Sequence, residues 1–186
     1  FQDFLLMLAE TKTQLPVTIP TKWGGVIEKN SHLTDPKAVK KRIAAVKLAL
    51  PEAGLEIGRL MTESICLTCH SIGGKGVGFS PPLDGSANRD LDGMITAIVD
   101  PNAAIENVFR SFRIETKDGT IQEGFNRGEN RAAITLLSMG GARQVVPIKS
   151  IKSAGYIEGK SVMPDLSGGM TPEQIAGIVA YLRSVT

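Results

Sequence analysis

Cys66-Leu67-Thr68-Cys69-His70 is the stretch on which the rest of the chain turns. Two thiols three positions apart lie about one helical turn from each other. Cys-x-x-Cys-His is the pattern to which haem c is attached. In such a site both thiols add to vinyl groups on one edge of the porphyrin, and the histidine points at the iron. Zinc is a poorer fit, because it needs four ligands and the chain holds 2 Cys and 2 His, with His32 far upstream. Cys-x-x-Cys also serves thioredoxin-like dithiols, but those follow a strand and open a helix, whereas here the motif closes a helical segment. A plain dithiol or a chance match is the remaining alternative.

On the N-terminal side, Leu55 to Ile65 reads as the helix that delivers Cys66, with Leu55, Ile57, Leu60, Met61 and Ile65 apolar. Before it, Thr34-Asp35-Pro36 is a helix start. That helix carries Val39, Ile43, Val46 and Leu50 on one face and closes at Pro51. Its basic residues Lys40, Lys41, Arg42 and Lys47 suit a solvated face, or docking to an acidic partner. Phe4, Leu5 and Leu8 have helical spacing, Leu15 to Pro20 is extended, and Trp23-Gly24-Gly25 is a loop with one apolar anchor. On the C-terminal side, Gly73 to Phe79 reads as a flexible glycine-rich loop against a haem face. It lacks the Gly-Lys-Ser/Thr of a phosphate-binding loop. Asp90 to Val99 is a short helix ended by Asp100-Pro101.

At about Val108 the period changes. Phe109–Thr116, Thr120–Phe125, Ala132–Leu137 and Arg143–Pro147 are strand-like runs separated by turn signals such as Asp118-Gly119, and Ile148–Ile157 adds a fifth. Short antiparallel strands in such a row predict a small curled sheet or barrel. Helical signals return at Thr171-Pro172-Glu173-Gln174, a capping box with proline in the first turn. Ile175, Ile178, Val179 and Leu182 follow as one stripe.

The iron reading needs two further residues. His70 should ligate through Nε2, so its Nδ1–H needs an acceptor. Pro81 offers a carbonyl on rigid backbone, although Pro81-Pro82 also suits a plain turn. The opposite face of the metal accepts Met, His or Lys, or stays open. Among Met7, Met61, Met94, Met139, Met163 and Met170, the ones on helical stripes (Met7, Met61 and Met94) read as core. Met163, before Pro164 in a loop, is the chosen ligand, ahead of Met170, His32 and an open site. His–Met ligation favours one-electron transfer and raises the potential.

The 186 residues are 42% hydrophobic and 22% charged, with net charge +2 and 5% aromatics. Nothing in that balance suggests a nucleic-acid partner. The longest apolar run, Phe4 to Ala9, is too short to span a bilayer. The chain opens on Phe1, which reads as a processed or truncated start. Both cysteines lie in the motif, so compartment follows only from the haem reading, which implies a periplasmic or otherwise exported protein.

Cys66–His70, Pro81-Pro82-Leu83, Met163-Pro164 and Ala180-Tyr181-Leu182 together resemble a class I, mono-haem cytochrome c. In that family a glycine on the first helix meets an aromatic on the last, and Gly58 and Tyr181 match. Ser80 stands where the family has glycine. The 93 residues from His70 to Met163 exceed the usual spacing. A closer resemblance accounts for them: the haem-binding domain of planctomycete and verrucomicrobial proteins, often fused behind propeller-type dehydrogenase and helical-repeat modules. It rests on Ile98-Val99-Asp100-Pro101-Asn102-Ala103 with Ile105, Thr116-Lys117-Asp118-Gly119 with Gly124, Ile134-Thr135-Leu136, and Ser161-Val162-Met163-Pro164. It covers about 51–186. The resemblance implies Arg89 beside a haem propionate, where a guanidinium pairs with a carboxylate; a solvated loop arginine is the plainer alternative.

The expectation is therefore a mainly-α cytochrome c fold with a small inserted antiparallel β-barrel-like subdomain. Residues 1–51 form an N-terminal extension, 52–108 plus 158–186 the haem domain, and 109–157 the insert. The expected protein is not an enzyme. It carries one covalent haem c, with Cys66, Cys69, His70, Pro81, Arg89 and Met163 at the cofactor and His70 and Met163 on iron. Its partners are redox proteins, a dehydrogenase or another cytochrome as donor and a further redox protein as acceptor. Alternatives are a haem-based gas or redox sensor, a peroxidase-like site with an open or labile sixth position, and a haem subunit of a larger dehydrogenase complex, with Phe1, Phe4, Leu5 and Trp23 anchoring a neighbour.

Overall fold

The computed structural model describes residues 23–30, 35–106 and 109–185. Phe1, Phe4, Leu5, Met7, Leu8, the 15–20 stretch and His32 lie outside the described residues. Strand β1 (Val26–Lys29) comes first, then helix α1 (Pro36–Ala49) and helix α2 (Leu55–Ser64). A short hairpin, β2 (Ser71–Ile72) with β3 (Lys75–Gly76), leads to helix α3 (Leu91–Val99). Strands β4 (Arg110–Thr116), β5 (Ile121–Glu129), β6 (Ala133–Leu137), β7 (Arg143–Pro147) and β8 (Ile151–Ser161) follow, and helix α4 (Pro172–Ser184) closes the chain.

The helices start where their caps dictate. Asp35 accepts from the Lys37 amide at 3.0 Å, and Asp90 from Gly93 N at 2.7 Å. Thr171 and Gln174 form a reciprocal box, with Thr171 N donating to Gln174 Oε1 at 2.8 Å. Each cap satisfies amides that have no partner inside the helix. Val46, Ile95, Val99, Ile175, Ile178 and Val179 are buried together, so α1, α3 and α4 share one core. Helix α2 crosses α4 with almost no space between them. A Cβ on Gly58 would sit 1.9 Å from the Gly177 carbonyl oxygen and 3.0 Å from Tyr181 Cβ. On α2 the buried residues are Gly58 and Thr62, while the apolar Leu55, Ile57 and Leu60 face outward.

The mainly-α expectation is overturned. Among the described residues there are four α-helices and 29% lie in strands, most of them in a six-stranded mixed sheet of order β1-β8-β4-β5-β6-β7. Two features separate it from a small antiparallel insert. Strand β1, from outside 109–157, joins β8 in parallel, with Val26 opposite Tyr156 and Lys29 opposite Glu158. Gly155 makes this approach possible, since a Cβ there would meet Gly25 O and Ile27 Cγ2 at 2.5 Å each. Strand β8 also runs eleven residues, to Ser161, beyond the Ile157 boundary read from the sequence. Strand β5 pairs with β4 through Ile121–Gly124 and with β6 from Phe125 onward, with a bulge at Asn126–Gly128. The sheet thereby bends around a second core of Phe112, Ile114, Ile134, Leu136, Val146, Ile151 and Ala154, against which Trp23 packs. The Gly73 to Phe79 stretch, expected as a flexible loop, instead supplies the turn and second strand of the β2–β3 hairpin.

Among the described residues no helix is long and apolar enough to cross a membrane.

Candidate functional site

Beside the helical core, with Met94, Ile178 and Leu182 in its lining, lies a cavity of about 450 Å³, within the roughly 300–1,000 Å³ of small-molecule and cofactor sites. Cys66, Cys69, His70, Pro81, Arg89 and Met163 all line it. They arrive from separate stretches: the end of α2, the loop after the hairpin, the approach to α3, and the loop after β8.

The Cys66–His70 segment is one tight turn. Helix α2 ends as Ile65 N donates to Met61 O at 2.9 Å, and Cys66 O then receives Cys69 N at 3.1 Å and His70 N at 2.9 Å. Both thiols are free and half-buried. Burial pushes the Cys66 thiol up to about 11, with the charge of Cys69 adding to it. His70 Nδ1 lies 2.7 Å from Pro81 O. A carbonyl only accepts, so the proton sits on Nδ1 and Nε2 keeps its lone pair. Burial holds His70 below the ordinary imidazole value; the Pro81 bond opposes this, and the Arg89 guanidinium lowers it further. The ring is thus kept neutral, the state in which it ligates a metal.

Met163 sits in a loop whose start is tied down. Its amide donates to Ser161 Oγ at 3.1 Å, and Ser161 N donates to Asn102 Oδ1 at 2.8 Å. Met170, the runner-up ligand, is buried in the helical core and does not line the cavity. Met94 and Met139 do line it. Met94 is also core, whereas Met139 is 56% exposed on the β6–β7 turn. Arg89 is exposed at the cavity rim, and its carbonyl accepts from Arg183 Nη1 at 3.0 Å.

Part of the lining is aromatic and escapes sequence reasoning. Phe79 and Phe125 stack with centroids 4.9 Å apart, and Phe109 meets Phe125 edge-on at 5.7 Å. Arg127 lies over the Phe125 ring at 5.0 Å. Phe109 and Phe125 sit at the ends of strand-like runs, where alternation marks an inward face without telling which of two cores receives it. Of the Gly73 to Phe79 stretch, Phe79 alone lines the cavity.

No family model matches the chain, and no curated protein matches it. The donor set itself bears on the expected cofactor. Two thiols and an imidazole come from one turn, a thioether comes from a distant loop, and the wall between is mostly apolar. This combination suits a large flat macrocycle with a metal held by nitrogen and sulfur. Among the described residues no group of three or more Cys, His, Asp and Glu is placed to hold a bare metal ion.

Proposed function

We propose that the protein is a mono-haem c-type electron carrier. One observation carries the reading: six residues picked from the sequence for this cofactor line a single cavity, with Nδ1 of His70 committed to Pro81 and Nε2 free. Cys66 and Cys69 would hold the porphyrin through thioether bonds, and His70 and Met163 would hold the iron. When bound, the group supplies one-electron Fe(III)/Fe(II) chemistry.

The chain's own residues do the rest. The Pro81 carbonyl fixes the His70 tautomer and ring direction and raises its basicity. Phe79, Phe109 and Phe125 in the lining exclude water, which keeps the local dielectric low. Arg89, at the rim, offers a guanidinium to a carboxylate at the solvent edge. With His70 and Met163 both holding the iron, the group would favour electron transfer over substrate binding at the metal. Redox proteins that dock weakly and briefly near the rim are the proposed partners, and an exported compartment follows from covalent haem attachment.

The test is a spectrum of the protein matured alongside haem-attachment machinery. A far-red band in the oxidised form, lost in Met163→Ala, supports the carrier. High-spin iron that binds CO rapidly in the unsubstituted protein contradicts it and favours a sensor or peroxidase-like site.

A further inference from the structure

We infer that Arg42, on a helix that does not line the cavity, is the positioning residue that locks the Met163 loop and sets how firmly sulfur is held on the iron. The inference rests on the haem reading for its consequence, but its geometry stands alone. Arg42 Nη2 donates to two main-chain carbonyls, Ser167 O and Met170 O. Both lie in the loop joining Met163 to α4. That loop holds a single short turn of its own, in which Gly169 N donates to Leu166 O and Met170 N to Ser167 O, both at 3.2 Å. A Cβ on Gly168 or Gly169 would meet nothing within 4 Å, so no side chain packs there to hold the backbone. Further fixation comes from outside. The single Ser167 hydroxyl proton has Asp165 Oδ1 of the same loop at 2.7 Å and Val99 O of α3 at 3.2 Å within reach. Arg42 ties the same turn to α1.

The residue type matters. Lys40 and Lys41, its neighbours, are exposed, while Arg42 is half-buried and its Nε has no partner among the described residues. Placing a guanidinium there is unfavourable unless its N–H groups find acceptors. The two N–H bonds of its Nη2 lie in the fixed guanidinium plane and reach two carbonyls at once, whereas a lysine ammonium is a rotating point charge on a shorter stem. With Ser161 holding the start of the loop and Arg42 its end, the thioether is held at a fixed position without help from the metal. Loosening the far end lets an external ligand compete for that position.

The experiment measures imidazole binding to the oxidised haem protein, in unsubstituted and Met163→Ala backgrounds. In the unsubstituted background, Arg42→Ala should raise imidazole affinity about tenfold and weaken the far-red band, with Arg42→Lys intermediate. In the Met163→Ala background the same change should do nothing, because the competing sulfur is gone. An equal rise in both backgrounds assigns Arg42 a merely structural role and overturns the inference, as does no rise in either. Amide hydrogen exchange on the haem-free protein provides a separate readout. Arg42→Ala should speed exchange across 165–170 and leave α3 unchanged. If the matured chain takes up no haem, the function reading fails, and exchange decides the clamp by itself: unchanged rates overturn it.

Discussion

The two sides of the cavity are built on different scales of the chain. On the histidine side, every important bond is local. His70 N bonds Cys66 O four residues back, and Nδ1 bonds Pro81 O eleven residues on. On the methionine side, the bonds that tie the loop to the rest of the fold are distant. Ser161 reaches Asn102 across 59 residues, Ser167 reaches Val99 across 68, and Arg42 reaches Ser167 across 125. A local site forms once one helix end and one turn form. A distant site exists only when the whole fold closes, so it is the side where substitutions far from the cavity change the chemistry.

The contrast is broken most directly at a long-range contact on which the histidine side does depend. Gly58→Ala drives a methyl into the Gly177 carbonyl at 1.9 Å, where only backbone can yield. Forcing α2 away from α4 should cost on the order of 3 kcal/mol and lower the yield of attached haem. Urea unfolding and pigment yield check it; unchanged values would mean that α2 holds the Cys66 turn without α4.

A smaller effect comes from the thiols. In the haem-free, reduced chain an unfolded Cys66 ionises at its ordinary value of 9.0, while the folded thiol holds its proton to about 11. The unfolded state therefore releases a proton first. Stability from this group is full below pH 9 and is lost as pH rises toward 11, by on the order of 2 kcal/mol. Cys66→Ala should remove that slope in urea titrations between pH 8 and about 11. A slope that survives assigns the loss to another group.

The smallest change is on the methionine side. Ser161→Ala removes the acceptor of the Met163 amide and should cost about 1 kcal/mol of stability. Its larger consequence is for the iron: a lower potential and a weaker far-red band, with haem attachment unchanged. A drop in attachment instead would tie the two sides together.

The same contrast explains what could be read from the sequence. Cys66, Cys69, His70 and Pro81 stand close together and announce their chemistry by type and spacing. Helices α1, α3 and α4 carry their own caps in Asp35, Asp90 and Thr171. Strand β1 is four exposed residues that pair about 130 positions away, and nothing local marks them. Missing β1, and ending β8 at Ile157, made a six-stranded mixed sheet look like a small antiparallel insert in a mainly helical fold. The aromatic wall was missed for a related reason. Phe125 lies where β5 changes partners, and its place in the cavity lining is decided by the bend of the sheet.

The central claim is that this cavity holds one porphyrin tethered at Cys66 and Cys69. The intact mass of the matured protein under denaturing conditions tests it most directly. The account expects a coloured chain heavier than its amino acids by one haem, with the pigment lost from the polypeptide in Cys66→Ala/Cys69→Ala. A colourless chain of bare polypeptide mass would contradict it.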